Sequence, residues 1–174
     1  MTAMAAKLKS GSAFPTLDLP LAGGGTVRLG GAGRWQVIVV YRGRHCPICK
    51  TYLKTLEGLR PGFAGAGAEI VAVSADPREK ADADKAELGV GFPVAYGLTP
   101  DQMRGLGLYI STPRSPEETD RPFAEPALFL VNPKGETQIV DISNAPFARP
   151  DLASILSGLK LIRKRDYPIR GTAD

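Results

Sequence analysis

The sequence gathers its reactive side chains into one pentapeptide, His45-Cys46-Pro47-Ile48-Cys49. That segment holds both cysteines and the lone histidine of the 174 residues. Any step needing a thiol must use Cys46 or Cys49, and any needing an imidazole must use His45. Two cysteines cannot build the multi-bridge framework of a small secreted domain. With one histidine they also fall short of an all-Cys/His tetrahedral zinc site within one chain. Three readings stay open for the pair: a redox dithiol, a buried structural pair, and a metal site completed by a carboxylate or another chain. A close Cys-x-x-Cys pair in a reducing compartment favours the first, and no metal is assigned.

Cysteine attacks as the thiolate, and a free thiol has a pKa of about 8.5. A useful redox thiol therefore needs help at neutral pH. A helix start supplies it, because the unsatisfied N–H groups and the helix dipole favour negative charge there. The flanking sequence reads as such a junction. Trp35 to Tyr41 is a β-branched run suited to a buried central strand, and Arg42-Gly43-Arg44 turns the chain. A helix then starts near Cys46 or Pro47, Pro47 suiting a first-turn position. Cys49, Leu53 and Leu56 follow helical spacing, and Pro61-Gly62 reads as the stop. The spacing makes Cys46 an exposed nucleophile and Cys49 its more buried partner one turn on. Arg42, Arg44, His45 and Lys50 place positive charge around Cys46. His45 either tunes the thiolate or packs beside the pair.

The remaining elements must hold that junction. Residues 1–13 read as a flexible arm of small and polar residues, and 14–170 as one domain. Phe14–Pro20 and Thr26–Leu29 are short extended pieces. Gly30-Gly31-Ala32-Gly33 precedes a strand rather than opening a helix, so it is no phosphate cradle. Glu69–Ser74 is a second buried strand. Asp76 and Pro77 read as the cap and first residue of a helix that Gly89 ends. Pro93–Tyr96 and Pro100–Leu106 are a short strand and a short helix, and Tyr109–Pro126 a long loop. Leu128–Val131 and Thr137–Ile142 form a hairpin across Asn132-Pro133-Lys134-Gly135. A helix opening at Pro150 closes the chain, its apolar stripe made by Leu152, Ile155, Leu156, Leu159 and Ile162. The order implies an α/β fold with a mixed sheet and helices on both faces.

Composition narrows the partners. Lys and Arg number 22 against 18 Asp and Glu, a net charge of +4. The basic residues are scattered, and the cluster Lys160, Arg163, Lys164, Arg165 suits a solvated helix C-terminus, so no nucleic acid is expected. No run approaches the ~20 apolar residues of a membrane span, and Met1–Pro20 lacks a signal-peptide core. The reading is a cytoplasmic protein, reduced at rest, with no membrane association. Nothing cues a flavin or nicotinamide site. No cofactor is expected, and electrons come from outside.

Three segments carry a family resemblance: Val39–Cys49, Ile70–Asp76 with its helix, and Glu125–Gly135. With them the chain resembles the peroxiredoxin-like members of the alkyl hydroperoxide reductase/thiol-specific antioxidant family, in the thioredoxin-fold group, over roughly residues 14–170. The resemblance implies a thioredoxin-like three-layer α/β/α sandwich with a mixed central sheet, an N-terminal β extension and the cysteines at the sheet's C-terminal edge. It implies that Pro126 is a cis-proline beside the cysteines, presenting backbone groups to an extended substrate. In the family pattern Pro-x-x-x-Thr-x-x-Cys, Cys49 takes the place of the peroxidatic thiol, Cys46 that of the threonine and Arg42 that of the proline. Pro126 stands where an arginine usually precedes the later strand. The resemblance thus points to Cys49 as nucleophile and the helix argument to Cys46, which is preferred for disulfide exchange. The expected activity is a Cys46–Cys49 dithiol–disulfide cycle that reduces protein disulfides, hydroperoxides or both. The expected reductant is an external thiol of thioredoxin or glutathione type, and a homodimer is compatible. The alternative is a non-catalytic redox sensor or interaction module on the same fold.

Overall fold

A computed structural model describes residues 6–174. Nine strands and four helices follow in the order β1 (Leu17–Pro20), β2 (Thr26–Leu29), β3 (Trp35–Val40), α1 (Pro47–Gly65), β4 (Ala68–Val73), α2 (Arg78–Leu88), β5 (Val94–Ala95), α3 (Pro100–Gly105), β6 (Ile110–Ser111), β7 (Phe123–Ala124), β8 (Ala127–Val131), β9 (Thr137–Ile142) and α4 (Leu152–Arg165). The central sheet runs β5-β4-β3-β8-β9. β3, β4 and β5 are parallel, and β8 and β9 are antiparallel to their neighbours. The β-branched run of β3 lies in the middle, buried on both faces, as a continuous apolar strand must.

Each sheet face has its own core. On one, Val37, Val39, Ile70, Ala72 and Leu128 meet Cys49, Leu53, Leu56 and Phe63 of α1 and Leu152, Leu156 and Leu159 of α4. On the other, Ile38, Val40, Val71 and Phe129 meet Leu19 and Leu29 of the β1–β2 hairpin, Met103 of α3 and Phe123 of β7. The fold is the expected thioredoxin-like α/β sandwich, with β1–β2 as the N-terminal extension.

Several boundaries differ from the sequence reading. Helix α1 does not stop at Pro61 but continues to Gly65. Pro61 is on the exposed side, and its missing N–H and ring cost about 3 kcal/mol. Full burial of Phe63, worth about 1.5–3 kcal/mol, offsets most of that. Helix α2 starts at Arg78 with Pro77 as an N-cap lacking a side-chain bond. Asp76 does not cap it because its carboxylate accepts the Arg44 N–H instead, at 2.7 Å. Helix α4 starts at Leu152, where Asp151 accepts the Ser154 N–H. The Tyr109–Pro126 loop is shortened by the pairing of β6 with β7.

The arm is not loose where it is described. Lys7 Nζ donates to the Gly107 carbonyl, the Gly11 N–H donates to Thr137, and the Thr137 N–H donates back to Ser12. Residues 1–5 lie outside the described residues. No helix among the described residues is long and apolar enough to cross a membrane.

Leu56 is fully buried between α1 and the sheet, while Thr55 beside it is exposed. Leu56→Ala is expected to cost about 2–5 kcal/mol of unfolding free energy, against about 0.5 kcal/mol or less for Thr55→Ala. Urea titration of the two variants checks this.

Candidate functional site

The site forms where β3 ends and α1 begins. Gly43 takes φ +138°, and a β-carbon there would stand 2.7 Å from Asp76 Oδ1. The turn is therefore built around the Asp76 carboxylate after β4, which accepts the Arg44 N–H. Cys46 is the N-cap of α1 and Pro47 occupies the first turn. An N-cap side chain folds back over the helix end to accept an orphan N–H. Cys46 does so through sulfur, its Sγ accepting the Cys49 N–H at 3.2 Å. That geometry explains a correction. Cys46 is not exposed but only 2% accessible, because its sulfur turns inward over the helix. Cys49 is fully buried, on the same face as Leu53 and Leu56.

One negative charge suits this pair. The Cys46 thiol is lowered to about 6, chiefly by its hydrogen bonds with the Cys49 side chain and backbone, with Arg42 and Arg149 helping and burial opposing. Cys49 is pushed up by burial and by the hydrogen bond and charge of Cys46, against the pull of Arg149. The two shifts run in opposite directions, which favours the charge on Cys46 and the proton on Cys49.

The basic residues near the pair have different places. Arg42 helps to lower the Cys46 thiol and pairs with Glu125 at 3.2 Å, its guanidinium 4.8 Å from the Phe123 ring. Glu125 also accepts the Ser111 hydroxyl at 2.6 Å. The β6–β7 ribbon thus brings Phe123, Ser111 and Glu125 to the turn. Arg44 is held away from the sulfurs, pairing with Asp84 and Glu87 of α2 at 2.7 Å each. Lys50 faces the same two carboxylates. The His45 ring meets Phe123 edge-on at 4.6 Å, and neither nitrogen has a partner. Burial, then Arg42, holds its pKa below the ordinary imidazole value, so the ring is neutral at pH 7 and adds no charge. Among the described residues no group of three or more His, Cys, Asp or Glu is placed to hold a metal ion.

Pro126 requires a correction. No peptide bond among the described residues is cis. Pro126 extends the β8–β9 ladder by one step, its carbonyl accepting the Ser143 N–H at 2.9 Å. It lines a small cavity with Tyr52, Asp141 and Arg149.

Besides Phe123, Ser111, Asp84 and Glu87, two residues beside Cys49 escaped the sequence reading. Arg149 Nη2 donates to Cys49 Sγ at 2.6 Å, and its guanidinium lies 4.8 Å from the Tyr52 ring. The Tyr52 hydroxyl donates to the Pro150 carbonyl at 2.7 Å. Arg149 lies 100 residues from Cys49, so no local spacing marks it. Tyr52 carries a weak signal: it follows Cys49 by three residues and shares its helix face.

Ultraviolet titration of the reduced protein should show one thiolate appearing near pH 6 and no second one in the neutral range. Cys46→Ser should abolish that step. Because the folded pKa lies below the unfolded one, the Cys46 contribution to stability is fully present above pH ~8.5 and is lost as pH falls through about 6. Gly43→Ala should cost about 1–3 kcal/mol, read by thermal unfolding, since it combines positive φ with a clash on Asp76.

The sequence matches the AhpC/TSA family over residues 10–140. No match was found among curated proteins. Solved structures are similar over nearly the whole chain. A peroxiredoxin-like protein from Aquifex aeolicus superposes with a TM-score of 0.78 at 19% identity, covering 91% of this chain and 90% of its own. Mycobacterium bovis AhpC gives 0.73 at 17% identity over 97% and 99%. The bacterioferritin comigratory protein of Xanthomonas campestris, described for its alkyl peroxide reduction activity, gives 0.66 at 27% identity over 83% and 90%. With its thiol pair at the head of α1 and the matched segment covering most of the chain, the protein belongs to the AhpC/TSA family and is a thiol-dependent oxidoreductase.

Proposed function

We propose that the protein reduces hydroperoxides, with Cys46 as the attacking thiolate and Cys49 as the resolving thiol. One observation carries the choice of substrate: both cysteines are buried, at 2% and 0% accessibility. A protein disulfide needs a sulfur at the surface, whereas a peroxide is small enough to reach one beneath it. The Xanthomonas protein's alkyl peroxide activity supports the same reading.

The chemistry balances within the site. The Cys46 thiolate attacks one peroxide oxygen. A sulfur–oxygen bond forms, the O–O bond breaks, and the leaving oxygen takes a proton to become water or an alcohol. Sulfur loses two electrons and becomes a sulfenic acid. Cys49 then attacks the Cys46 sulfur. The disulfide forms, the sulfur–oxygen bond breaks and water leaves. One helical turn separates the two residues, so the second step is intramolecular. An external dithiol of thioredoxin type, or two glutathione-type thiols, returns the pair to the reduced state and leaves as a disulfide. A reducing compartment such as the cytoplasm supplies that donor.

Stopped-flow oxidation by hydrogen peroxide tests the assignment. Cys46→Ser should lower the rate to that of an ordinary thiol. Cys49→Ser should retain the first step and stop at a sulfenic acid trapped by dimedone. The first-step rate should fall about tenfold per pH unit below pH 6. The reverse pattern for the two variants would transfer the attack to Cys49. A rate no faster than a free thiol's in the native protein would leave a redox sensor as the better reading.

A further inference from the structure

Arg149 stands out among the charged groups of the site. It is the last residue but two before α4, and its Nη2 donates to Cys49 Sγ. Its Nε and Nη1 are buried without a partner. Among the described residues it forms no ion pair with a carboxylate, whereas Arg42 has Glu125 and Arg44 has Asp84 and Glu87. Asp141 lines the same cavity, yet burial alone shifts its carboxyl and no bond joins it to Arg149. A half-buried guanidinium with two buried nitrogens and no anion is costly. Burial keeps the Tyr52 phenol beside it neutral, and the group among the described residues that Arg149 hydrogen-bonds and that can become an anion is the Cys49 sulfur. Helix α1 builds the clamp that keeps the two together, since Tyr52 stacks under the guanidinium and its hydroxyl holds Pro150.

We propose that Arg149 is the counter-ion that transfers the site's negative charge from Cys46 to Cys49, so that Cys49 becomes a thiolate once Cys46 has been oxidised. This rests on the two-step peroxide reading above. In the dithiol, the hydrogen bond and charge of Cys46 work with burial to keep Cys49 protonated, and Arg149 opposes them. Oxidation converts the Cys46 thiolate into a neutral sulfenic acid. Two of the influences holding the proton on Cys49 then vanish while Arg149 stays. Cys49 releases its proton, and the thiolate attacks the Cys46 sulfur. The hydroxide displaced from Cys46 takes up a proton, so the net products are the disulfide and water. The other groups facing Cys49 are the main chain at Arg42 and the buried Tyr41. Burial pushes the Tyr41 phenol up, and it stays neutral. Tyr52 and Asp141 line the same cavity as Arg149, and burial raises the pKa of both. Arg149 is thus a positioning residue for the second step.

The test needs no peroxide. In Cys46→Ser, Cys49 is the only thiol, and its thiolate absorbance can be titrated in the folded protein. Adding Arg149→Met should raise the midpoint by about one pH unit or more, and adding Arg149→Lys should raise it less. Adding Tyr52→Phe, which loosens the clamp but keeps the charge, should give a smaller rise and serves if the Met variant does not fold. Equal midpoints with and without the Arg149 side chain would overturn the proposal. Failure of the peroxide reading would leave these midpoints untouched, so the two fail separately. With both cysteines present, Arg149→Met should slow condensation of the sulfenic acid about tenfold at neutral pH, and more than it slows the first oxidation. A loss confined to the first oxidation would overturn the proposal as well.

Discussion

The structure is arranged around one negative charge at the open end of α1. A helix start has orphan N–H donors and a positive dipole end. Here the capping group is a sulfur, Cys46 Sγ, rather than the oxygen of Ser, Thr, Asp or Asn. A neutral thiol is a weak acceptor, so the cap is effective when the sulfur is ionised. On the proposed assignment the cap and the reactive group are the same atom, which ties the local stability of α1 to the redox state of the site.

Three other parts of the chain hold that atom in place. Asp76, just after β4, fixes the turn through the Arg44 N–H and the tight space at Gly43. The β6–β7 ribbon supplies Glu125 and Phe123 to Arg42. The segment before α4 supplies Arg149 to Cys49. Buried ion pairs often add little net stability, because desolvation offsets their attraction. Their value here is directional. Glu125 keeps Arg42 aimed at the turn, while Asp84 and Glu87 keep Arg44 and Lys50 away from it. The thiolate is stabilised by specific donors and not by a diffuse cationic patch.

Local signals explain what was readable in the sequence. The β-branched run of β3, the Pro47 start of α1 and the Asn132–Gly135 hairpin are each set by residues close together in the chain. The Cys46–Cys49 pair is of the same kind, since spacing alone puts both sulfurs at one helix turn. The features that escaped depend on distant partners. Cys46 was expected to be exposed because helix spacing does not tell which way an N-cap sulfur turns. Asp76 looked like a cap for α2 until the Arg44 N–H, 32 residues earlier, claimed it. Pro61 looked like a helix stop because the burial of Phe63 is a tertiary effect. Arg149 had no local mark at all. Arg44 was adjacent to the cysteines in sequence but is turned aside by the carboxylates of α2.

The same interactions bear on the redox poise of the pair. The hydrogen bond from the Cys49 N–H, with the charges of Arg42 and Arg149, stabilises the thiolate form. None of them gains from the disulfide, in which neither sulfur carries charge. Whatever stabilises the reduced pair relative to the oxidised one raises the reduction potential, as in strongly oxidising dithiol proteins whose reduced form is favoured. A low thiol pKa and an easily reduced disulfide are therefore two consequences of one set of contacts. Such a disulfide gives up its oxidising equivalents readily to an external thiol. In the proposed cycle the helix end that activates Cys46 toward peroxide also favours its return to the reduced state, and no third cysteine of the chain is needed.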